Sequence, residues 1–257
     1  MMHPILFHFG SFTLYTYGLF VALGFMTAIF VSQKIGAFHG IKNETITDIY
    51  FIILISALVG ARGLYVIVSF DSYKNNLIDI FKIWNGGLVF FGGFITAVTA
   101  TAVYLKVKNH TVWKMADILV PGIALGHAVG RIGCFFAGCC YGESCELPFV
   151  ITFTHPQSLA PLNVPLHPTQ IYMVLSNLLL FFILLWVTRK KRFNGMVFLS
   201  YIMLYSLFRF IIEFFRGDFR GDFFLDFISI SQGIGLLIFV IAGILLIKLF
   251  RSVNGHR

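Results

Sequence analysis

KMADILVPGIALGHAVGRIGC, residues 114–134, is an apolar run that carries a histidine and an arginine close to its far end. A bilayer hydrocarbon core about 30 Å thick is crossed by ~20 helical residues, so this stretch has the length of a membrane span. An arginine inside such a span is costly and marks a functional site by default. Composition supports the membrane reading. The 257 residues are 58% hydrophobic and only 12% charged, with a mean hydropathy of +0.87, where soluble domains carry roughly 25% charged residues.

Other runs of similar length recur, and they predict an all-α integral membrane protein with seven transmembrane helices. The spans fall at residues 12–33, 47–70, 88–105, 114–134, 168–187, 195–215 and 227–250. A transmembrane barrel would need alternating segments of ~10 residues, whereas these runs are continuous. Residues 1–257 read as one membrane domain. The N-terminal MMHPILFHFGSF lacks a basic region and a small-residue cleavage site, so no cleavable signal peptide is expected. The net charge of +8 reads as topology rather than nucleic-acid binding, and no nucleic-acid partner is expected.

Topology follows from where the basic residues lie. With the N-terminus outside, the inner loops and tail hold Lys34, Lys42, Lys106, Lys108, Lys114, the Arg-Lys-Lys-Arg run at 189–192, Lys248, Arg251 and Arg257. The outer loops hold only Lys74, Lys82, Arg216 and Arg220. The positive-inside rule then sets the N-terminus outside and the C-terminus in the cytoplasm. The largest external loop becomes residues 135–167, which contain neither Lys nor Arg.

Under this topology the polar groups gather at one depth. Arg62, Arg131, Arg209 and Glu213 fall late in outward-running spans; Tyr17, WNGG (84–87) and LHPTQIY (166–172) fall early in inward-running ones. His127 and Arg131 are four residues apart and share a helix face, as do Arg209 and Glu213. His127 can bond a neighbouring carbonyl or act in chemistry; Arg62 can serve the same site or clamp a helix end. Several arginines at headgroup depth, Arg216 among them, suit a phosphate, which guanidinium binds through paired hydrogen bonds. Asp117, beside Lys114, reads as an interfacial charge. Gly122, Gly126 and Gly130 repeat every four residues, the pattern of close helix approach.

Cys134, Cys139, Cys140 and Cys145 all lie at or beyond the outer end of the fourth span. Three readings stand side by side: disulfides or structural thiols in an oxidising compartment, Cys139–Cys145 for instance; a thiol lining the active site; or metal binding. The spacing C-x4-C-C-x4-C is unusual for structural zinc, so no metal or other cofactor is assigned.

GRIGCFFAGCCYG (130–142) resembles the signature of the prolipoprotein diacylglyceryl transferases. YTYGLF, GARGLYV, WNGGLVFFGGFI, HPTQIY, LYSLFRFIIEFFR and SISQ are similar to that family's other blocks, in the same order. The resemblance implies transfer of a diacylglyceryl group from phosphatidylglycerol to the lipobox cysteine of a preprolipoprotein, with release of glycerol 1-phosphate. It implies a multi-pass protein of the bacterial cytoplasmic membrane, with the site toward the external leaflet. The expected catalytic residues are Arg131, Arg209, Glu213, Tyr17 and His127. Arg131, Arg209, Arg62, Gly130, Cys134, Cys139, Gly142 and His167 are expected to contact substrate.

Three positions depart from the family pattern. Phe91 stands where a histidine is frequent, Cys134 where asparagine is common, and Cys139 where glutamate often stands. These departures remove the obvious base. His127 is then the first candidate and His167 the second, while activation of the acceptor thiol by the field of the arginines needs neither. The rival readings are a same-fold enzyme with another thiol acceptor or phospholipid, a transporter, and a thiol-redox protein.

Overall fold

The computed structural model describes residues 3–10, 12–74, 76–82, 84, 86–218, 223–224 and 228–255. Asn85 of the WNGG motif, Arg220, Phe227 at the expected start of the last span, and Arg257 lie outside the described residues. The helices are α1 (Thr16–Phe38), α2 (Asn43–Val68), α3 (Phe90–Val107), α4 (Val112–Ala137), α5 (Thr169–Arg189), α6 (Met196–Glu213) and α7 (Ile230–Gly255). Among the described residues these seven are long and apolar enough to cross a membrane, one for each expected span.

The first span begins later than its apolar run. Residues 12–15 form β2 (Phe12–Tyr15), paired antiparallel with β1 (Ile5–Phe9). Gly10 supplies the positive φ of 58° that the hairpin turn needs, and the Thr16 amide closes the motif on the Pro4 carbonyl at 2.9 Å. Aromatic and β-branched residues suit a strand as well as a lipid-facing helix, so composition alone did not separate the two.

The chain packs as two compact units, residues 33–115 and residues 1–32 with 116–257. In the first, α2 lies along α3. A Cβ on Gly93 would stand 2.8 Å from the Ala57 carbonyl oxygen, and one on Gly92 would overlap the Gly60 carbonyl, so glycine is what allows this approach. Arg62 is buried and spends every N–H on carbonyl oxygens. Nε donates to Ile80 (2.8 Å), Nη1 to Gly86 (2.6 Å) and Gly87 (3.1 Å), and Nη2 to Asp79 (2.6 Å) and Lys82 (3.3 Å). Its plane faces the rings of Tyr65 and Tyr73. Of the two parts open to Arg62 the clamp is the one observed: no N–H is left for a substrate phosphate. The substrate contact expected of it is corrected accordingly. Phe91, in the same unit, is exposed against Phe90.

In the second unit α1 crosses α4 where Gly24 meets Gly126; a Cβ on Gly126 would lie 2.5 Å from the Gly24 carbonyl oxygen and 3.0 Å from Ala28 Cβ. Behind α4, Val120, Ala124, Leu180, Leu184, Val187 and Val197 form a buried core shared with α5 and α6. Asp117 is 2% exposed. Its carboxylate accepts hydrogen bonds from the amides of Gly195 (2.7 Å) and Phe198 (2.8 Å) and pairs with Lys191 Nζ at 2.9 Å. It therefore caps the N-terminus of α6 from another helix, where negative charge meets the helix dipole. The interfacial reading of Asp117, with Lys114 as neighbour, is corrected to this buried cap. The long 138–167 connection folds on Phe153, Ala160 and Leu166, stitched by β3 (Ile151–Thr152) and β4 (Pro165–Leu166). β5 (Phe223–Phe224) and β6 (Ile228–Ser229) lead into α7, which packs on α6.

Gly126→Ala forces the α1–α4 crossing apart, and overpacking of this kind costs about 1–3 kcal/mol. Its melting temperature in detergent falls, while Gly18→Ala, whose Cβ meets nothing within 4 Å, leaves it unchanged. Arg62→Lys replaces a fork with a point charge, and amide hydrogen exchange accelerates across residues 77–87. Unaltered exchange there would refute the clamp.

Candidate active site

The C-terminal end of α4 assembles the candidate site. Arg131 sits one turn beyond His127 and donates Nε–H to His127 Nε2 at 3.2 Å. That bond consumes the Nε2 lone pair and leaves the imidazole proton on Nδ1. The ring rests against Tyr205 of α6, centroids 5.5 Å apart. Arg131 Nη1 donates to Cys140 Sγ at 3.5 Å, while Nη2 makes no hydrogen bond among the described residues. His127 lies within electrostatic reach of both Arg131 and Arg209, which come from different helices.

Arg209 and Glu213, at i and i+4 on α6, form an ion pair of 2.5 Å with both side chains largely buried. Ser229 donates its hydroxyl to Glu213 at 3.4 Å, and Arg216 Nε stands 4.0 Å from the same carboxylate. Arg216 is itself buried and grips Asp218 with two bonds, Nε to Oδ1 at 2.8 Å and Nη2 to Oδ2 at 2.7 Å. Burial works against its charge, but the bonds to Asp218 and Cys140 hold it protonated well above the ordinary guanidinium value.

Three sulfurs share this space. Sγ of Cys134, Cys139 and Cys140 all lie within 4.8 Å of one another. None of the four cysteines is joined in a disulfide. Cys139 thus keeps company with Cys134, whose carbonyl its thiol faces at 3.8 Å, and not with Cys145. Successive side chains of an extended chain point apart. Here Gly138 (φ 74°) and Cys140 (φ 59°) turn the backbone through the left-handed region, which brings the two adjacent thiols together. Such a φ costs a non-glycine residue about 1–2 kcal/mol. The N-terminus of α5 helps secure it: Thr169 donates its hydroxyl to the Cys140 carbonyl at 2.8 Å, and Gln170 Nε2 donates to the Cys139 carbonyl at 2.9 Å. Contacts from the Cys134 and Cys139 thiols, and then from Arg216, draw the Cys140 thiol below its ordinary value. The same thiol contacts push Cys139 up.

Tyr17, at the start of α1, is 45% exposed and lies within electrostatic reach of Arg131 and all three clustered sulfurs. Gly142 is a packing residue; a Cβ there would fall 2.5 Å from His167 Cβ and 2.7 Å from the Phe215 carbonyl oxygen. Around it, residues 141–143 are laced to 215–217, Glu143 N to Phe215 O (3.0 Å) and Gly217 N to Tyr141 O (3.2 Å). Gly130 faces open space. His167 approaches the Tyr172 hydroxyl at 3.3 Å through Nδ1 and packs on Phe215. It borders a groove of about 470 Å³ lined by Leu147, Phe149, Tyr172, Phe208 and Phe215.

The structure therefore brings Tyr17, His127, Arg131, Cys134 and Cys139 into one cluster. Arg209 and Glu213 flank it from α6, Gly142 and His167 stand behind it as packing and groove residues, and Arg62 is spent on its own loop. Sequence reasoning missed Tyr205, left Cys140 as one of four cysteines with three open readings, and left Arg216 at the interface. The spacing of Arg209, Glu213 and Arg216 at i, i+4 and i+7 was the available signal for Arg216, since such residues share one helix face. The cysteine spacing drew notice to Cys140 but not to its place beside Arg131, which depends on a backbone φ.

Residues 4–248 match the sequence profile described as prolipoprotein diacylglyceryl transferase. The chain is 38% identical over 240 residues to a phosphatidylglycerol--prolipoprotein diacylglyceryl transferase of Clostridium tetani, covering 93% of this chain and 95% of that protein. It is 38% identical to the enzyme of that name from Finegoldia magna, covering 90% and 88%. With the counterpart of Geobacillus kaustophilus it shares 35% identity over 82% and 80% of the two chains. A profile match across nearly the full length, on a seven-helix scaffold with arginines at the end of α4 and on α6, places the chain in the prolipoprotein diacylglyceryl transferase family.

Proposed function

We propose that the protein transfers the sn-1,2-diacylglyceryl group of phosphatidylglycerol to the lipobox cysteine of preprolipoproteins, releasing glycerol 1-phosphate. Arg131 from α4 and Arg209 from α6 both lie within electrostatic reach of His127, and this carries the reading, because two cations from separate helices suit a phosphate diester. The new bond joins the acceptor sulfur to glyceryl C3. The C3–O bond breaks, and its electrons leave on a phosphate oxygen. Charge grows on that phosphate in the transition state, so preorganised guanidinium donors lower the barrier. Arg131 offers Nη2, and Glu213 orients Arg209. Tyr17 bonds the headgroup, and the groove beside His167 and Phe215 takes an acyl chain, its size within the usual ~300–1,000 Å³ of ligand pockets.

His127 acts through Arg131 as a positioning residue, because its Nε2 lone pair is already engaged there. The basic loops described above support an external N-terminus. The site then faces the outer leaflet of the bacterial cytoplasmic membrane, where secreted preprolipoproteins emerge.

Arg131→Ala and Arg209→Ala each lower kcat/KM for phosphatidylglycerol by at least about a hundredfold, the usual scale for losing a transition-state donor. The check is glycerol phosphate release together with the mass of a lipobox peptide; normal turnover in either variant removes the phosphate cradle. His127→Ala slows transfer about tenfold and leaves the pH profile unchanged, whereas loss of a general base would abolish the limb that rises with pH.

A further inference from the structure

The sulfur cluster carries chemistry that the phosphate cradle does not use. Sγ of Cys134, Cys139 and Cys140 lie within 4.8 Å of one another, with Cys134 buried and the other two half-buried. Zinc binds thiolates at about 2.3 Å, which puts two sulfurs on one tetrahedral ion about 3.8 Å apart, a small inward shift from the arrangement here. A mononuclear site with three protein ligands keeps its fourth position open, the hallmark of catalytic zinc as opposed to structural zinc. The irregular cysteine spacing fits that use, since no closed four-ligand cage is being built and Cys145 stands outside the cluster. Charge also balances. Three thiolates and a dication leave one negative charge, and a fourth thiolate makes two. Arg131 lies 3.5 Å from Cys140 Sγ, and Arg216 stands against the same sulfur, so two guanidiniums are in place to offset them.

We propose that Cys134, Cys139 and Cys140 form a zinc site whose open position binds the acceptor thiol of the transfer reaction as a thiolate. The inference rests on the transferase reading above and supplies what that reading lacks, a means of ionising the acceptor. A free thiol with pKa about 8.5 is only a few per cent ionised at neutral pH, whereas a thiol on zinc is deprotonated outright. The acceptor S–H loses its proton as the sulfur takes the fourth position. The sulfur then forms its bond to glyceryl C3 while the C3–O bond breaks, and the departing glycerol phosphate takes up a proton. The thioether product, a neutral and weak ligand, leaves the metal. No oxidation state changes. The lipobox cysteine is thereby delivered to the side of the cradle where Arg131 holds the phosphate.

The test uses the full chain in detergent, stripped with a chelator under reducing conditions. Titration with zinc yields one bound ion per chain, and titration with cadmium yields the ultraviolet band of cadmium–thiolate charge transfer. Both persist in Cys145→Ser and vanish in the Cys134→Ser, Cys139→Ser, Cys140→Ser triple variant. Zinc binding then raises diacylglyceryl transfer by up to about thirtyfold at pH 7, the thiolate fraction gained over a pKa of about 8.5, and this advantage shrinks as pH approaches 9. A stripped wild-type chain that binds no zinc overturns the site without reference to any variant. Full transfer by the stripped chain overturns the acceptor role while leaving the transferase reading intact. Zinc held by the three cysteines without transfer to any lipobox peptide overturns the transferase reading, and the acceptor role with it.

Discussion

A guanidinium held in an apolar helix bundle must be surrounded by groups that accept its hydrogen bonds, or the helix that carries it will not remain in the membrane. This chain meets that demand at each of its span arginines, in different ways. Arg62 is silenced by carbonyl oxygens of its own loop. Arg209 is matched by a carboxylate one turn away. Arg131 is met by softer partners, an imidazole lone pair and a sulfur. These hold it in place and leave Nη2 without a hydrogen bond among the described residues, whereas every N–H of Arg62 is spent.

The same constraint organises the scaffold around the site. Glycines at the α1–α4 crossing let the two backbones touch and bring Tyr17 close to the end of α4. Asp117 closes the opposite end of α4 against the start of α6, so the helices bearing Arg131 and Arg209 are pinned at one end and free to present charge at the other. The N-terminus of α5 holds the Cys139–Cys140 turn by two side-chain hydrogen bonds to carbonyls. These two bonds from one helix end fix the turn, which is how a residue as strained as Cys140 can be maintained.

The helices were legible because an apolar run of about twenty residues has few other readings. The arginines were legible because charge is conspicuous in such runs, and the Arg209–Glu213 pair could be read from its spacing alone. The hairpin before α1 was hidden, since FTLY carries no signal that separates strand from span until Gly10 turns the chain. The partners of Arg62 could not be inferred, because they are backbone oxygens of an irregular loop. Asp117 was read beside its sequence neighbour Lys114, yet its partners are some eighty positions away in the chain. The gathering of three sulfurs depends on φ at Gly138 and Cys140, which no pattern of residue types encodes.

The lacing of residues 141–143 to 215–217 has a mechanical consequence. Spanning helices tilt to match the thickness of the surrounding lipid, and catalytic groups borne on separate helices would drift apart as they did so. Here the segment that follows the sulfur turn and the one that carries Arg216 are sewn together by main-chain hydrogen bonds. Their relative position is set by peptide geometry, so the sulfur turn and Arg216 move together as one stiff patch when the helices that carry them tilt.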